Sequence, residues 1–209
     1  MKLYDFHAAP NPRRVRIFAA EKGLEIPTVQ IDLRDGGQFT DEFGAVSPRR
    51  AVPVLELDDG TLLTESVAIC RYLEETLPEP PLMGTDALDK AMVEMWHRRM
   101  ELEGLAPCAD ALRNHSKFFA GRAIPGPVSY EQIPALSERG HARIGHFFTM
   151  LDARLQESAF VAGPSYTIAD IAGLIAVDFA GWVKEAPPES ATALKAWHEK
   201  VSARPSAQA

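Results

Sequence analysis

Val52-Pro53-Val54-Leu55-Glu56-Leu57-Asp58-Asp59-Gly60-Thr61-Leu62-Leu63-Thr64-Glu65-Ser66-Val67-Ala68-Ile69-Cys70-Arg71-Tyr72-Leu73 holds two strands, a tight turn and the start of a helix. Val54–Leu57 and Thr61–Leu63 are short apolar runs, and Asp58-Asp59-Gly60 between them is hairpin-turn chemistry. Ser66 is a favoured helix-capping residue, and Val67, Ile69, Cys70 and Leu73 follow at helical spacing toward a core, so a helix is predicted from Ser66 to Leu77.

Upstream, Lys2–Phe6 reads as a strand running into the loop Ala8-Ala9-Pro10-Asn11-Pro12. A helix is predicted from about Arg13 to Lys22, with Pro12 suited to its start and Gly23 to its end. Val29, Ile31 and Leu33 alternate as in a strand with one buried face, Asp35-Gly36-Gly37 is a loop, and Asp41–Ala45 suits a short helix. The order βαβαββα predicts a mixed sheet carrying helices, an α+β domain of thioredoxin-like pattern over residues 1–79.

Downstream, Leu77-Pro78-Glu79-Pro80-Pro81-Leu82 interrupts both helix and strand, and residues 80–87 read as a linker. Beyond it the period is helical throughout, predicting an all-α helical bundle over 88–209. A long helix is expected from Leu88 to about Phe119, with Met92, Met95, Trp96, Met100 and Leu102 as its core candidates. Gly121–Pro134 is a loop; Ala135–Gln156, the almost wholly apolar Thr167–Val183 and Leu194–Ala203 are helices.

The chain has 209 residues, enough for two domains, and its 46% hydrophobic and 24% charged composition is that of an ordinary globular protein. A net charge of -7 argues against a nucleic-acid or anionic-membrane partner. No apolar run reaches the roughly 20 residues that span a bilayer, and the opening Met1-Lys2-Leu3-Tyr4-Asp5 lacks a signal peptide's apolar stretch, so a cytoplasmic protein is expected. Cys70 and Cys108 stand far apart, which speaks against a disulfide framework or a zinc site; no metal is expected. Arg13, Arg14, Arg16, Arg49 and Arg50 fall at two places. They are solvated surface arginines unless the two places meet in space, where they would attract a small anion.

Three segments admit a chemical reading beside a structural one. Pro53 is either a strand-start proline or, with a cis Val52–Pro53 bond, the bend that turns the Val52 N–H and C=O outward to pair with an extended peptide. Glu65-Ser66 is either a helix cap or an anion site, with free amides, the helix dipole and the Ser66 hydroxyl as donors. Thr167-Ile168-Ala169-Asp170 reads as a capping box with Asp in place of Glu, predicting a buried Asp170 that anchors the fold.

Taken in order, these segments resemble the cytosolic glutathione transferase superfamily over essentially the whole chain. The resemblance includes the Val-Pro turn, the Asp-Gly hairpin, Glu65-Ser66 with the helix to Leu73, the proline-rich linker, Phe160-Val161-Ala162-Gly163 with Thr167–Asp170, and the ending Ser202–Ser206. It implies glutathione as co-substrate and a homodimer. It implies that Val52, with Pro53 cis, pairs through its backbone with the cysteinyl residue, and that Glu65 and Ser66 hold the γ-glutamyl group. Gln38-Phe39 and the Arg49-Arg50 stretch fall at the glycyl end. Phe39 brings no charge there and Ala51 replaces a frequent Lys or Gln, so that carboxylate is left to Arg49 or Arg50.

The family's activating Tyr, Ser or Cys is missing from Ala8–Pro12. Ala9-Pro10-Asn11 with Arg14-Val15 resembles a bacterial and yeast-like subgroup in which Asn11, aided by the following helix, would face the sulfur. Relatives that use a Ser- and His-held water point instead to His115 and Ser116. The second substrate would lie against the long helix, at Trp96, Met100, Leu105, Phe118 and Phe119. Three functions fit: conjugation of the thiolate to small hydrophobic electrophiles, glutathione-dependent disulfide or peroxide reduction, and non-catalytic glutathione binding, since the same stretch resembles a yeast nitrogen regulator of this fold.

Overall fold

The structure, a computed structural model, describes all 209 residues. The chain forms two compact units: Met1–Pro80 with Ile124–Ser129 and Ala209, and Pro81–Ala123 with Tyr130–Gln208.

The first unit carries β1 (Lys2–Asp5), α1 (Pro10–Glu21), β2 (Thr28–Gln30), α2 (Asp41–Val46), β3 (Val54–Glu56), β4 (Leu62–Thr64) and α3 (Ser66–Thr76). The sheet order is β2-β1-β3-β4, with β1 parallel to β2 and antiparallel to β3, and β4 antiparallel to β3. This is the mixed sheet of the thioredoxin-like pattern. Leu3, Val15, Phe18, Val54, Leu55, Ile69 and Leu73 form its core, with α1 packed beside α3. β2 departs from the alternation expected of Val29: its three residues are all exposed, because it is an edge strand and nothing covers either of its faces. Two buried charges tie the elements together. Asp5 accepts from Arg16 Nη1 at 2.5 Å and Gln30 Nε2 at 2.7 Å, linking β1, α1 and β2. Lys22 Nζ pairs with Glu74 at 2.5 Å and donates to the carbonyls of Pro78 and Pro80, holding the chain after α3 against the end of α1.

The second unit is helical: α4 (Ala87–Arg99), α5 (Ala106–Arg113), α6 (Pro134–Glu157), α7 (Ile168–Trp182) and α8 (Thr192–Ser202). The expected long helix ends at Arg113 and is interrupted by a π-helical turn, Met100–Leu105. That wider turn shifts the helical phase. Trp96 and Met100 stay buried, while Met95 is 41% and Leu102 51% exposed. Gly104 lies inside the turn, where a Cβ would stand 2.8 Å from the Phe147 ring of α6. α7 is buried along nearly its whole length, and its capping box is present: the Asp170 carboxylate accepts from Thr167 N–H at 3.0 Å, Val161 N–H at 2.9 Å and Trp197 Nε1 at 3.0 Å. No helix is long and apolar enough to cross a membrane.

Candidate active site

Ser66 opens α3 and is buried. Its Oγ accepts a hydrogen bond from Arg14 Nη1 at 2.9 Å. With that lone pair engaged, the hydroxyl hydrogen is left to donate outward. No side chain caps α3, and the amide of Ile69 is the first to bond within the helix, to Glu65 O at 3.0 Å. The preceding amides and the positive end of an 11-residue helix therefore face whatever lies beside Ser66. Glu65 holds φ 67°, ψ 114°, a left-handed φ that costs a non-glycine residue energy.

Val52 is presented by its neighbours. Ser47 Oγ donates to Ala51 O at 3.0 Å and accepts from Ala51 N–H at 3.2 Å, pinning the chain just before it. The Val52–Pro53 bond is cis, and the Val52 N–H and C=O make no backbone hydrogen bond. In a fold whose β3 begins only at Val54, that pair of groups is a free edge for an extended ligand.

Asn11 lies in the first turn of α1, because the helix begins at Pro10 rather than Arg13. Pro10 and Pro12 have no N–H, and the Arg13 amide is already bonded to Ala9 O at 3.2 Å. The opening of α1 thus offers two donors at one residue, the Asn11 amide and its exposed carboxamide.

A cavity of about 200 Å³ in the first unit joins these groups: Asn11, Ser47, Arg49, Ala51, Val52, Pro53, Thr64, Glu65, Ser66, Ile124 and Pro125 line it. The two arginine clusters do meet here, but selectively. Arg14 acts through Ser66, and Arg49 lines the cavity with its Nε 3.8 Å from the Glu65 carboxylate. Arg16 is taken by Asp5. Arg50, at φ 54°, turns its guanidinium to the Thr40 and Gln38 carbonyls in space left by Gly44, where a Cβ would stand 2.4 Å from Arg50 Cζ. Arg50 and the buried Gln38 are absent from the lining.

His115 and Ser116 belong to the helical unit, after α5, where the Ser116 carbonyl accepts from Gln132 Nε2 at 2.8 Å; neither lines the cavity. His97 is buried in α4 between Glu94 and Glu101, 3.9 Å from each. Trp96 stacks against Arg99 and Arg154, and Phe118 and Phe119 against Arg122 and Arg113. Both cysteines are buried, and burial, followed by the charge of Glu185, pushes the Cys108 thiol up to about 12. Cys108 therefore supplies no thiolate at neutral pH. No group of three His, Cys, Asp or Glu side chains is placed to hold a metal.

Three residues of the site have a role that the local sequence does not show. Arg14 shares a helical face with Ile17 and Phe18, which signals burial once α1 is known to start at Pro10. Ile124 and Pro125 carry no local signal at all.

The arrangement suits an extended peptide with an anionic end. The family description "glutathione S-transferase, N-terminal domain" matches residues 8–76, and "glutathione S-transferase, C-terminal domain" matches residues 106–205. The chain is 36% identical to glutathione S-transferase 2 of Saccharomyces cerevisiae over 211 residues, covering 99% of this chain and 87% of that protein. It belongs to the glutathione S-transferase family. The crystal structure of Gtt2 from the same yeast matches this glutathione S-transferase family member with a TM-score of 0.90 and 36% identity, over 100% of this chain and 99% of that one. Disulfide-bond oxidoreductase YfcG of Escherichia coli is 29% identical over 207 residues, covering 96% of this chain and 89% of that protein.

Proposed function

We propose that the protein is a glutathione transferase that joins the glutathione thiolate to small hydrophobic electrophiles. The observation that carries this reading is one cavity bringing together the open amides of α3 with Ser66, the unpaired Val52 backbone and the Asn11 donors. Ser66 and the α3 amides would take the γ-glutamyl carboxylate, with Glu65 facing its ammonium. Val52 would pair with the cysteinyl residue, and Arg49 is the cation available to the glycyl end. A free thiol has a pKa of about 8.5. Donors from Asn11 beside the sulfur stabilise the thiolate and lower that value. Thiolate sulfur then forms a bond to the electrophilic carbon, and the leaving group departs with its bonding pair. On the family resemblance, this would take place in a cytoplasmic homodimer.

Disulfide reduction is the second reading, favoured by the similarity to YfcG along nearly the whole chain. With both protein thiols buried, it would run on glutathione alone. One thiolate attacks the substrate disulfide and releases a thiolate; a second glutathione resolves the mixed disulfide and leaves as glutathione disulfide.

Retention on immobilised glutathione tests binding. Turnover of a chlorodinitrobenzene-type electrophile against a hydroxyethyl-disulfide-type substrate then separates transferase from reductase. A protein that the resin holds but that turns over neither is a binder, and the enzyme reading is lost.

A further inference from the structure

Trp96 Nε1 is a buried donor with nothing to donate to. The residue lies in α4 and is 8% exposed, and its indole nitrogen is shut off from water without a hydrogen-bond acceptor. A donor in that state costs free energy, because the bond it makes to water in the unfolded chain is not replaced. Two guanidiniums bear on the same ring. Arg99 Cζ of α4 stands 4.8 Å and Arg154 Cζ of α6 4.7 Å from its centroid, so the two distances end to end hold these charges within about 9.5 Å of each other. All three residues belong to the second unit, and none lines the first unit's cavity.

Both arginines keep donors unengaged. Arg98 pairs with Glu101, whereas neither Arg99 nor Arg154 makes an ion pair; Glu103 just after the one and Glu157 just after the other pair with neither. Arg154 donates from Nε alone, to Val161 O at 2.9 Å, which leaves both Nη groups available. Arg99 is exposed and donates to nothing in the protein. Attraction to the ring face offsets part of the repulsion between the two like charges. An anion between them would offset the rest and take up their free N–H groups.

We propose that Trp96, Arg99 and Arg154 form a binding site for a doubly charged oxyanion, a phosphate group, in the helical unit. Each guanidinium takes one side of the group through paired N–H bonds, the fork geometry in which arginine fits phosphate. Arg99, held to the protein only through the ring, moves off it without breaking a hydrogen bond, as exposed side chains do in picoseconds to nanoseconds. The indole N–H is then uncovered and becomes the third donor. The set contains donors only, so it selects against cations. Free phosphate and a phosphate monoester share the group that is recognised.

The indole N–H reports on the site directly. The chain has three tryptophans, so a proton–nitrogen correlation spectrum of the full chain has three indole cross-peaks, and the one absent from Trp96→Phe belongs to Trp96. Titration with inorganic phosphate at constant ionic strength moves that peak downfield and saturates, while the Trp182 and Trp197 peaks stay in place. Arg99→Gln weakens the titration at least about fivefold, and Arg99→Lys, which keeps the charge without the fork, falls between. Acetate, with one charge, binds at least about threefold more weakly than phosphate. Methyl phosphate that matches or exceeds inorganic phosphate makes an ester the source; weaker binding makes it the free ion. Unmoved Trp182 and Trp197 peaks in Arg99→Gln show that the variant keeps the fold. A Trp96 peak that phosphate leaves in place, or that sodium chloride moves equally, overturns the proposal. So does acetate binding as tightly as phosphate, or an Arg99→Gln titration that superposes on the wild type.

Discussion

Arg14 Nη1 donates to Ser66 Oγ at 2.9 Å across the buried join between α1 and α3, with Arg14 only 2% exposed. The bond makes a helix cap into an oriented donor: the serine accepts from behind and can give its proton forward. A buried guanidinium beneath the opening of α3 also adds positive charge where an anion would sit. Removing the hydroxyl loses a hydrogen bond to a charged ligand, of about 1.5–3 kcal/mol. Ser66→Ala is therefore expected to weaken glutathione binding by about tenfold or more. Arg14→Ala weakens it similarly, and the double variant is no worse than about either single one, because the two act as one unit. Fully additive losses in a calorimetric double-mutant cycle would dissolve the pairing.

Asn11 lines the cavity together with Val52 and Ser66. Its carboxamide caps nothing, since α1 has no side-chain cap. Asn11→Ala is expected to lower kcat by roughly ten- to a hundredfold, with the glutathione Kd changed by less than about threefold. The spectroscopic check is the ultraviolet absorbance of bound thiolate as pH is raised: its midpoint moves up toward that of free glutathione in the variant. An unmoved midpoint would take Asn11 away from the sulfur.

The strands, their turn and the helix after Ser66 were legible because each is specified locally, by alternation, an Asp-Asp-Gly turn and a capping residue. So was the capping box at Thr167-Asp170. What could not be read is tertiary. Helical spacing runs unbroken through Met100–Leu105, where the chain instead makes a π turn with Gly104 close against Phe147, and Met95 and Leu102 emerge. Arg14 looked like surface charge because its partner lies 52 residues away. Arg49 and Arg50 are chemically equal in sequence; the left-handed backbone and Gly44 send Arg50 to the Thr40 carbonyl. Ile124 lies in a segment rich in proline and glycine, and nothing near it in sequence points to a cavity.

Glu65 carries strain at the mouth of the site. A φ of 67° on a residue with a Cβ costs about 1–3 kcal/mol, and glycine avoids it. Glycine also loosens the unfolded chain, which takes back about 1 kcal/mol. Glu65→Gly is accordingly expected to unfold at equal or higher denaturant, with a gain of up to about 2 kcal/mol, while glutathione binding falls by about tenfold. Glu65→Ala keeps the strain and loses the carboxylate, so it binds as poorly with no gain in stability. Chemical denaturation of the two variants side by side distinguishes strain from charge; matching stabilities would show that the backbone there is relaxed.

Asp170 gives the fold a pH dependence of unusual sign. Burial is the largest influence and pushes its carboxyl up to about 6, against the hydrogen bonds from Val161, Trp197 and Thr167 that favour the charged form. An acid whose pKa is higher folded than unfolded binds more protons in the native state between the two values. Its contribution to stability is complete below about pH 4 and is lost as pH rises through about 6. Asp170→Asn cannot titrate, so the stability difference between wild type and variant should grow in favour of wild type by on the order of 2 kcal/mol from pH 7 to pH 4. At every pH the variant is the less stable, because an amide NH₂ meets donors that the carboxylate accepted. Urea unfolding of both proteins at pH 4, 5, 6 and 7 measures this. A difference that is constant with pH, or that shrinks on acidification, would mean that the hydrogen bonds outweigh burial and hold the carboxylate ionised.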